Sequence, residues 1–315
     1  MVRTIFADLL GQETAVDLLC QAIAQQRIAP AYLFVGPAGT GRGLGALRFA
    51  ECLLQTADQA AGQVRRRIHD RNHPDLMWVE PTYLHKGKPV TAAEAEELDL
   101  KRKSPPQIRL EQIRDVTRFL SRPTLEAPRA VVVIEGAETM AESPANGLLK
   151  TLEEPGNATL ILLATESAQL LPTIVSRCQS IPFRRLSQTT MATVLTQSGH
   201  AEILQQPDVL AMAQGSPGQA IAALQQLQTL PADLVAALQQ PPPNLRVALE
   251  LARRVSKELD TESQLWLVEY LQQRLWQTQR SPALLAGLEQ AHFQLRRFVQ
   301  PRLVWEVMLM KFVTA

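Results

Sequence analysis

The run Ala31-Tyr32-Leu33-Phe34-Val35-Gly36-Pro37-Ala38-Gly39-Thr40-Gly41-Arg42-Gly43 decides the fold. Five mostly apolar residues of strand type lead into a glycine-rich turn. A helical pattern follows, with Leu44, Leu47 and Leu54 recurring on one face. Strand, glycine turn and helix in that order are the layout of a phosphate-cradling P-loop, whose template is Gly, any four residues, Gly, Lys and Ser or Thr. Gly36 and Gly41 fall on the template glycines and Gly39 lies between them. Arg42 and Gly43 stand where the Lys and the Ser/Thr belong.

The departure has chemical content. The P-loop lysine places a compact ammonium beside the terminal phosphates, and the hydroxyl after it holds magnesium. Arginine is longer, planar and forked, so it does not fit the place of the ammonium. Glycine offers no ligand. Backbone amides at the helix start still attract an anion, which leaves weak nucleotide binding open while hydrolysis is not expected. A dinucleotide fingerprint over Gly41, Gly43 and Ala46 is the competing reading. It requires the first glycine at the strand end and an acid about 20 residues on, closing the next strand. Here the strand ends at Gly36, and Asp58, the acid at that distance, lies in Gln-Thr-Ala-Asp-Gln, which is not strand-like.

At 315 residues the chain is expected to hold two or three domains, and 46% hydrophobic residues suit packed cores. A net charge of +1 gives no global pull toward nucleic acid. Cys20, Cys52 and Cys178 are far apart and form no C-x-x-C pair, which argues against a disulfide framework or a zinc ribbon. His69 and His73 near Cys52 match no usual ligand spacing. The N-terminus lacks a signal-peptide pattern and no apolar run reaches membrane-spanning length, so a cytoplasmic location without membrane contact is expected.

Outward from the loop, Thr14–Gln25 reads as an amphipathic helix with Val16, Leu19 and Ile23 inward. The basic cluster Arg65–Arg67 admits a phosphate-backbone contact or, more simply, a solvated helix face. Asp75–Glu80 reads as a strand. The polar stretch 81–106 is too long for an ordinary connection and is expected to be a surface excursion or partly disordered. Ile108–Leu120 is a helix. The β-branched run Ala130–Ile134 marks a central parallel strand and ends in Glu135-Gly136-Ala137-Glu138. Helix Ala145–Glu153, strand Thr159–Ala164, a short helix from Pro172 and strand Gln179–Phe183 complete a doubly wound α/β pattern. After Ser187 only helices are expected, near 188–197, 201–213, 217–229, 244–258, 262–279, 282–298 and 301–313.

A P-loop strand, a strand ending in acids and a strand ending in Thr165, joined to small helices, resemble an AAA+ ATPase module. The finer resemblance is to bacterial clamp-loader subunits of DNA polymerase III. It is carried by Gly11-Gln12, Ala31–Pro37, Asn146-Gly147-Leu148-Leu149-Lys150-Thr151-Leu152-Glu153-Glu154-Pro155, Leu162–Thr165 and Ser176-Arg177-Cys178. The resemblance implies a parallel-sheet core over 1–185 with a degenerate P-loop, a helical lid over 186–230 and an all-α collar domain over 231–315. The family's ATPase subunit has Lys-Ser/Thr in the loop, Asp-Glu after the second strand and a lid Arg after Gly-Ser-x. This chain has Arg42-Gly43, Glu135-Gly136 and Gly218 there. Loss at every station resembles the non-hydrolysing, delta-prime-type branch. No cofactor is then expected, and the zinc-binding cysteines usual in that branch are represented only by Cys52. An active ATPase with an unusual P-loop is the alternative.

The same resemblance makes Arg177 an arginine finger acting in trans on a neighbour's γ-phosphate, with Ser176 and Cys178 completing its motif. Such fingers are worth about 10³–10⁵ in rate. Thr165 takes the sensor position. The implied partners are the delta and gamma/tau subunits and, through the assembly, the sliding clamp and primed DNA.

Overall fold

The computed structural model describes residues 2–56, 61–98, 100, 105–278, 281–297 and 299–314. Two compact units form, Met1–Val194 and Leu195–Ala315. In the first, strands β1 (Ala31–Val35), β2 (Leu76–Val79), β3 (Tyr83–His85), β4 (Lys88–Val90), β5 (Ala130–Ile134), β6 (Ala158–Ala164) and β7 (Gln179–Pro182) follow one another between helices. Five of them make one sheet in the order β2-β5-β6-β1-β7, and every pairing in it is parallel. The apolar runs of β5 and β6 are buried along their whole length, as a central strand covered on both faces requires.

The two-residue period of the strands sorts their side chains into two cores. Tyr32, Phe34, Val131, Val133, Ile161 and Leu163 pack on one face with helices Glu13–Ala24, Arg42–Leu54 and Ala61–His69. Leu33, Val132, Ile134, Leu160 and Leu162 face the other way, toward helices Leu110–Leu120, Glu142–Glu153 and Pro172–Val175. Gly147 permits that second layer. A Cβ there would come within 3.3 Å of Leu110 and 3.6 Å of Ile113.

Three stretches of this unit carry detail that the sequence pattern does not show. The described part of 81–106 is an antiparallel hairpin, β3 with β4, followed by helix Ala92–Glu97. Positive φ at Lys86 and Gly87 (49° and 80°) gives the hairpin a two-residue turn of the kind that matches strand twist. Thr91 and Glu94 form a capping box on the helix, and a bridge from Thr82 to Gln107 closes the base of the excursion. In helix Arg42–Leu54, the buried stripe includes Arg48 and Glu51 beside Phe49 and Leu53, while Leu44 and Leu47 are half-buried. Arg48 and Glu51 are tolerated inside because they pair, Arg48 Nη1 to Glu51 Oε2 at 3.2 Å and Arg48 Nη2 to Asp8 Oδ2 at 2.5 Å. Finally, Arg65 and Arg67 form ion pairs on a partly exposed helix face. Arg65 pairs with Asp8 at 3.2 Å and Arg67 with Glu126 at 2.7 Å. Asp58 of the dinucleotide reading lies outside the described residues.

The second unit is helical throughout its described residues. The expected helix over 201–213 divides at Gln206 into a 3₁₀ turn, Ala201–Gln205, and helix Pro207–Ala213, because Pro207 opens a helix but cannot continue one. A further short helix, Ala232–Leu238, precedes the Pro241–Pro243 run. Helices Leu245–Glu258, Thr261–Thr278, Pro282–Arg296 and Pro301–Thr314 enclose a separate core around the fully buried Trp305. Among the described residues no helix is long and apolar enough to cross a membrane.

Candidate functional site

In an open parallel sheet the crevice at the carboxyl ends of the strands is where ligands collect. Here the order β5-β6-β1 brings three strand exits side by side: Glu135–Glu138 after β5, Thr165 after β6, and the loop Gly36–Gly41 after β1.

The loop keeps its shape through its backbone. Gly39 and Gly41 have φ of 72° and 99°, values that favour glycine, and Gly41 is the N-cap of helix Arg42–Leu54. Gly36 has a different reason to be glycine, since a Cβ there would lie 2.1 Å from the carbonyl oxygen of Phe183, where the chain leaves β7. Gln12 ties loop and β7 exit together. Its amide donates to the carbonyls of Thr40 (3.0 Å) and Arg184 (2.7 Å), and its oxygen accepts from the Arg184 N–H at 2.9 Å. The Thr40 hydroxyl is turned inward to the Pro37 carbonyl at 2.8 Å. At Gly43, nothing among the described residues lies within 4 Å of a Cβ.

Two of the side chains at these exits are bound to neighbours. The Thr165 hydroxyl donates to Glu138 Oε1 at 2.8 Å, and the Thr165 N–H donates to the same oxygen at 3.2 Å. Glu135 Oε2 accepts from the Trp78 indole N–H at 3.1 Å, which draws that carboxylate toward β2. Arg71 stacks 4.6 Å over the same indole and pairs with Glu80. At Gly136 the backbone is left-handed (φ 61°), and a Cβ would meet Pro81 Cγ at 2.8 Å. A carboxylate side chain at this position therefore requires the Pro81 segment to move.

Arg42 reaches into the crevice. Burial lowers its pKa, an effect that the charges of Glu138 and Glu135 oppose. Among the described residues, Arg42 Nε and Nη1 and Glu138 Oε2 are buried without hydrogen-bond partners. The charges of Glu138 and Glu135 thus act on the Arg42 guanidinium, so a polyphosphate beside Arg42 meets both signs of charge. Glu138 and Trp78 were not selected from sequence. Their partners lie 27 and 57 residues away, and only the strand order brings them together.

Arg177 lies elsewhere, exposed just beyond helix Pro172–Val175. Its Nη2 and Nε donate to Glu153 Oε1 at 2.7 and 3.1 Å, and Nη1 donates to the Thr173 carbonyl at 2.9 Å. Ser176 donates to the same Thr173 carbonyl at 3.1 Å. Burial pushes the Cys178 thiol up to about 11 and Cys52 up to about 12, so neither is a thiolate near neutrality. Among the described residues no three His, Cys, Asp or Glu side chains group as a metal set. Gly218 sits in the second unit, in the first turn of helix Pro217–Thr229, which Ser216 caps through the Gln219 N–H at 3.4 Å.

A parallel sheet with β6 between β1 and β5, followed by an all-helical region, is the AAA+ fold. The crystal structure of a DNA polymerase III gamma subunit-related protein from Thermotoga maritima has the same fold. Its TM-score is 0.58 at 15% identity, covering 96% of this chain and 99% of that one. The family described as DNA polymerase III, delta subunit, matches residues 11–187, more than half the chain. The one described as cyanobacterial DNA polymerase III delta prime, C-terminal domain, matches 189–312. The chain belongs to the DNA polymerase III delta-prime family.

Among its relatives are the DNA polymerase III subunits delta′ of Bacillus subtilis and Pseudomonas aeruginosa. They are 35% identical over 180 and 199 residues, or 56% and 60% of this chain. The matched segments span about half of those proteins, 48% and 54%. The B. subtilis subunit tau is 29% identical over 210 residues, covering 64% of this chain and 32% of that protein.

Proposed function

We propose that the chain is a non-hydrolysing subunit of a bacterial DNA polymerase III clamp loader. It completes the ring that places the sliding clamp on primed DNA, and it supplies Arg177 to the nucleotide site of an adjoining subunit. The partners are delta and gamma/tau subunits, with the clamp and DNA met through the assembly, in the cytoplasm. The C-terminal helices contribute to the oligomeric collar. Neither zinc nor a bound nucleotide is needed.

The observation that carries this reading is the internal engagement of the crevice. The sensor-position hydroxyl of Thr165 is bound to Glu138, the strand-end acid Glu135 is bound to Trp78, and Gly136 has no room for a carboxylate. Phosphoryl transfer relies on positioning and charge stabilisation, and the loop Lys and Ser/Thr are absent while Thr165 and Glu135 are bound to neighbouring side chains. Arg177, by contrast, is at the surface.

The test has two parts. The isolated chain should turn over ATP no faster than a Gly36→Ala/Gly41→Ala variant, and Arg177→Ala in the reconstituted loader should slow ATP hydrolysis with the subunit still assembled. Turnover well above the glycine variant overturns the non-hydrolysing reading, and normal hydrolysis with Arg177→Ala overturns the finger. The unpartnered nitrogens of Arg42 favour a second reading, in which the loop retains weak anion affinity. A titration of the isolated chain with a fluorescent ATP analogue measures it.

A further inference from the structure

Arg177 is exposed, yet its guanidinium is held. Two of its nitrogens converge on one carboxylate oxygen, Glu153 Oε1, at 2.7 and 3.1 Å. Glu153 is the last residue of helix Glu142–Glu153. A carboxylate at a helix C-terminus faces the negative end of the helix dipole, so helix stability gives no reason for an acid there. Lys150 in the same turn is the residue type that position favours.

The geometry of the pair is exchangeable. A fork-on-fork contact would use both carboxylate oxygens, whereas Arg177 uses one. Both side chains stay open to solvent, at 36% and 52% exposure. Exposed pairs of this kind contribute little to stability. A terminal phosphate presents more charge and three acceptor oxygens, and it displaces a single carboxylate oxygen readily.

We infer that Glu153 is a positioning residue for Arg177: its carboxylate holds the guanidinium in the free chain and yields it to the terminal phosphates of a nucleotide bound on an adjoining subunit. This rests on Arg177 acting in trans. The fraction of Arg177 withheld by Glu153 lowers the engaged population by the same fraction. Removing the carboxylate charge while keeping its shape therefore raises engagement, and the effect disappears when Arg177 is absent.

The test uses the full chain assembled with its partner subunits and compares Glu153→Gln, Arg177→Ala and the double variant. Expected are a fall in ATP hydrolysis with Arg177→Ala, a rise in kcat/KM of up to about fivefold with Glu153→Gln, the range an exposed ion pair allows, and a double variant equal to Arg177→Ala. A purely structural role for Glu153 would not produce that equality. If Arg177→Ala slows hydrolysis while Glu153→Gln leaves kcat/KM unchanged or lowers it, the restraint is refuted and the finger stands. If Arg177→Ala has no effect, the finger itself falls, and the restraint with it.

Discussion

The Thr165 hydroxyl donates to Glu138 Oε1 at 2.8 Å across the exits of β6 and β5. That bond occupies the hydroxyl and sets a negative charge at the mouth of the loop. Glu138→Ala removes both obstacles. With an effective dielectric constant near 20, one unit charge about 10 Å from a phosphate charge contributes about 1–2 kcal/mol, so nucleotide affinity of the isolated chain is expected to rise roughly tenfold. A fluorescent ATP-analogue titration measures it. Unchanged affinity would mean that Glu138 does not guard the loop.

The glycines of the loop should separate into two kinds. Gly36→Ala drives a Cβ to 2.1 Å from the Phe183 carbonyl, and backbone atoms on both sides leave no flexible end to yield. Overpacking of this sort costs about 1–3 kcal/mol or more. Gly43→Ala meets nothing among the described residues and replaces a helical glycine, so it is expected to stabilise by about 0.5 kcal/mol. Urea unfolding of both variants decides the matter, and equal effects would contradict the assignment.

Arg48 sits 7% exposed between Asp8 and the 3% exposed Glu51. Burial works to raise the pKa of Asp8, but the hydrogen bonds and charge of Arg48 outweigh it and hold it below the usual value. Arg48→Ala strands Glu51, leaving it, among the described residues, only Arg65 at 3.8 Å. Breaking a buried pair from one side is expected to lose on the order of 3 kcal/mol. Arg48→Met, with Glu51→Leu in the same chain, should recover most of it. Denaturant midpoints for the single and double variants check this, and a single variant as stable as the parent would show the pair to be dispensable.

Much of the fold is legible in sequence because burial on both faces writes continuous apolar runs. Val131–Ile134 and Leu160–Ala164 are short and rich in β-branched or apolar residues, which reads as central strands, and Pro or Ser-Gly breaks delimit most C-terminal helices. The hairpin Tyr83–Val90 is hidden because its strands are short and polar and its turn is Lys86-Gly87 rather than Asn-Gly. The burial of Arg48 and Glu51 is not legible in sequence, since one-dimensional patterning cannot see the carboxylate of Asp8 arriving from 40 residues away. The loop and its lost ligands are visible directly. The engagement of Thr165 by Glu138 and of Glu135 by Trp78 is not, because it follows from strand order rather than from spacing.

His73 supplies a pH test of the charge and hydrogen-bond layout next to β2. It is 2% exposed, and its Nδ1 accepts from the Asp75 N–H at 3.2 Å, so Nε2 carries the ring proton. Burial lowers its pKa below 6.5, and the nearby Arg67 lowers it further. The unfolded chain therefore binds a proton on this ring at a higher pH than the folded chain does. Stability accordingly rises with pH through the window just below 6.5 and is lost as pH falls through it. Asp75 is lowered as well, and its contribution is likewise lost as pH falls, but in a more acidic window. Burial raises it, the N–H groups of Leu125, Glu126 and Ala127 outweigh burial, and its contribution persists until pH falls below the usual carboxylate range. Unfolding free energies at about pH 7.5 and about pH 5 should thus diverge in the parent chain, and His73→Gln should flatten the difference while leaving the acid limb set by Asp75 in place. An unchanged slope in His73→Gln would assign the pH dependence to other groups.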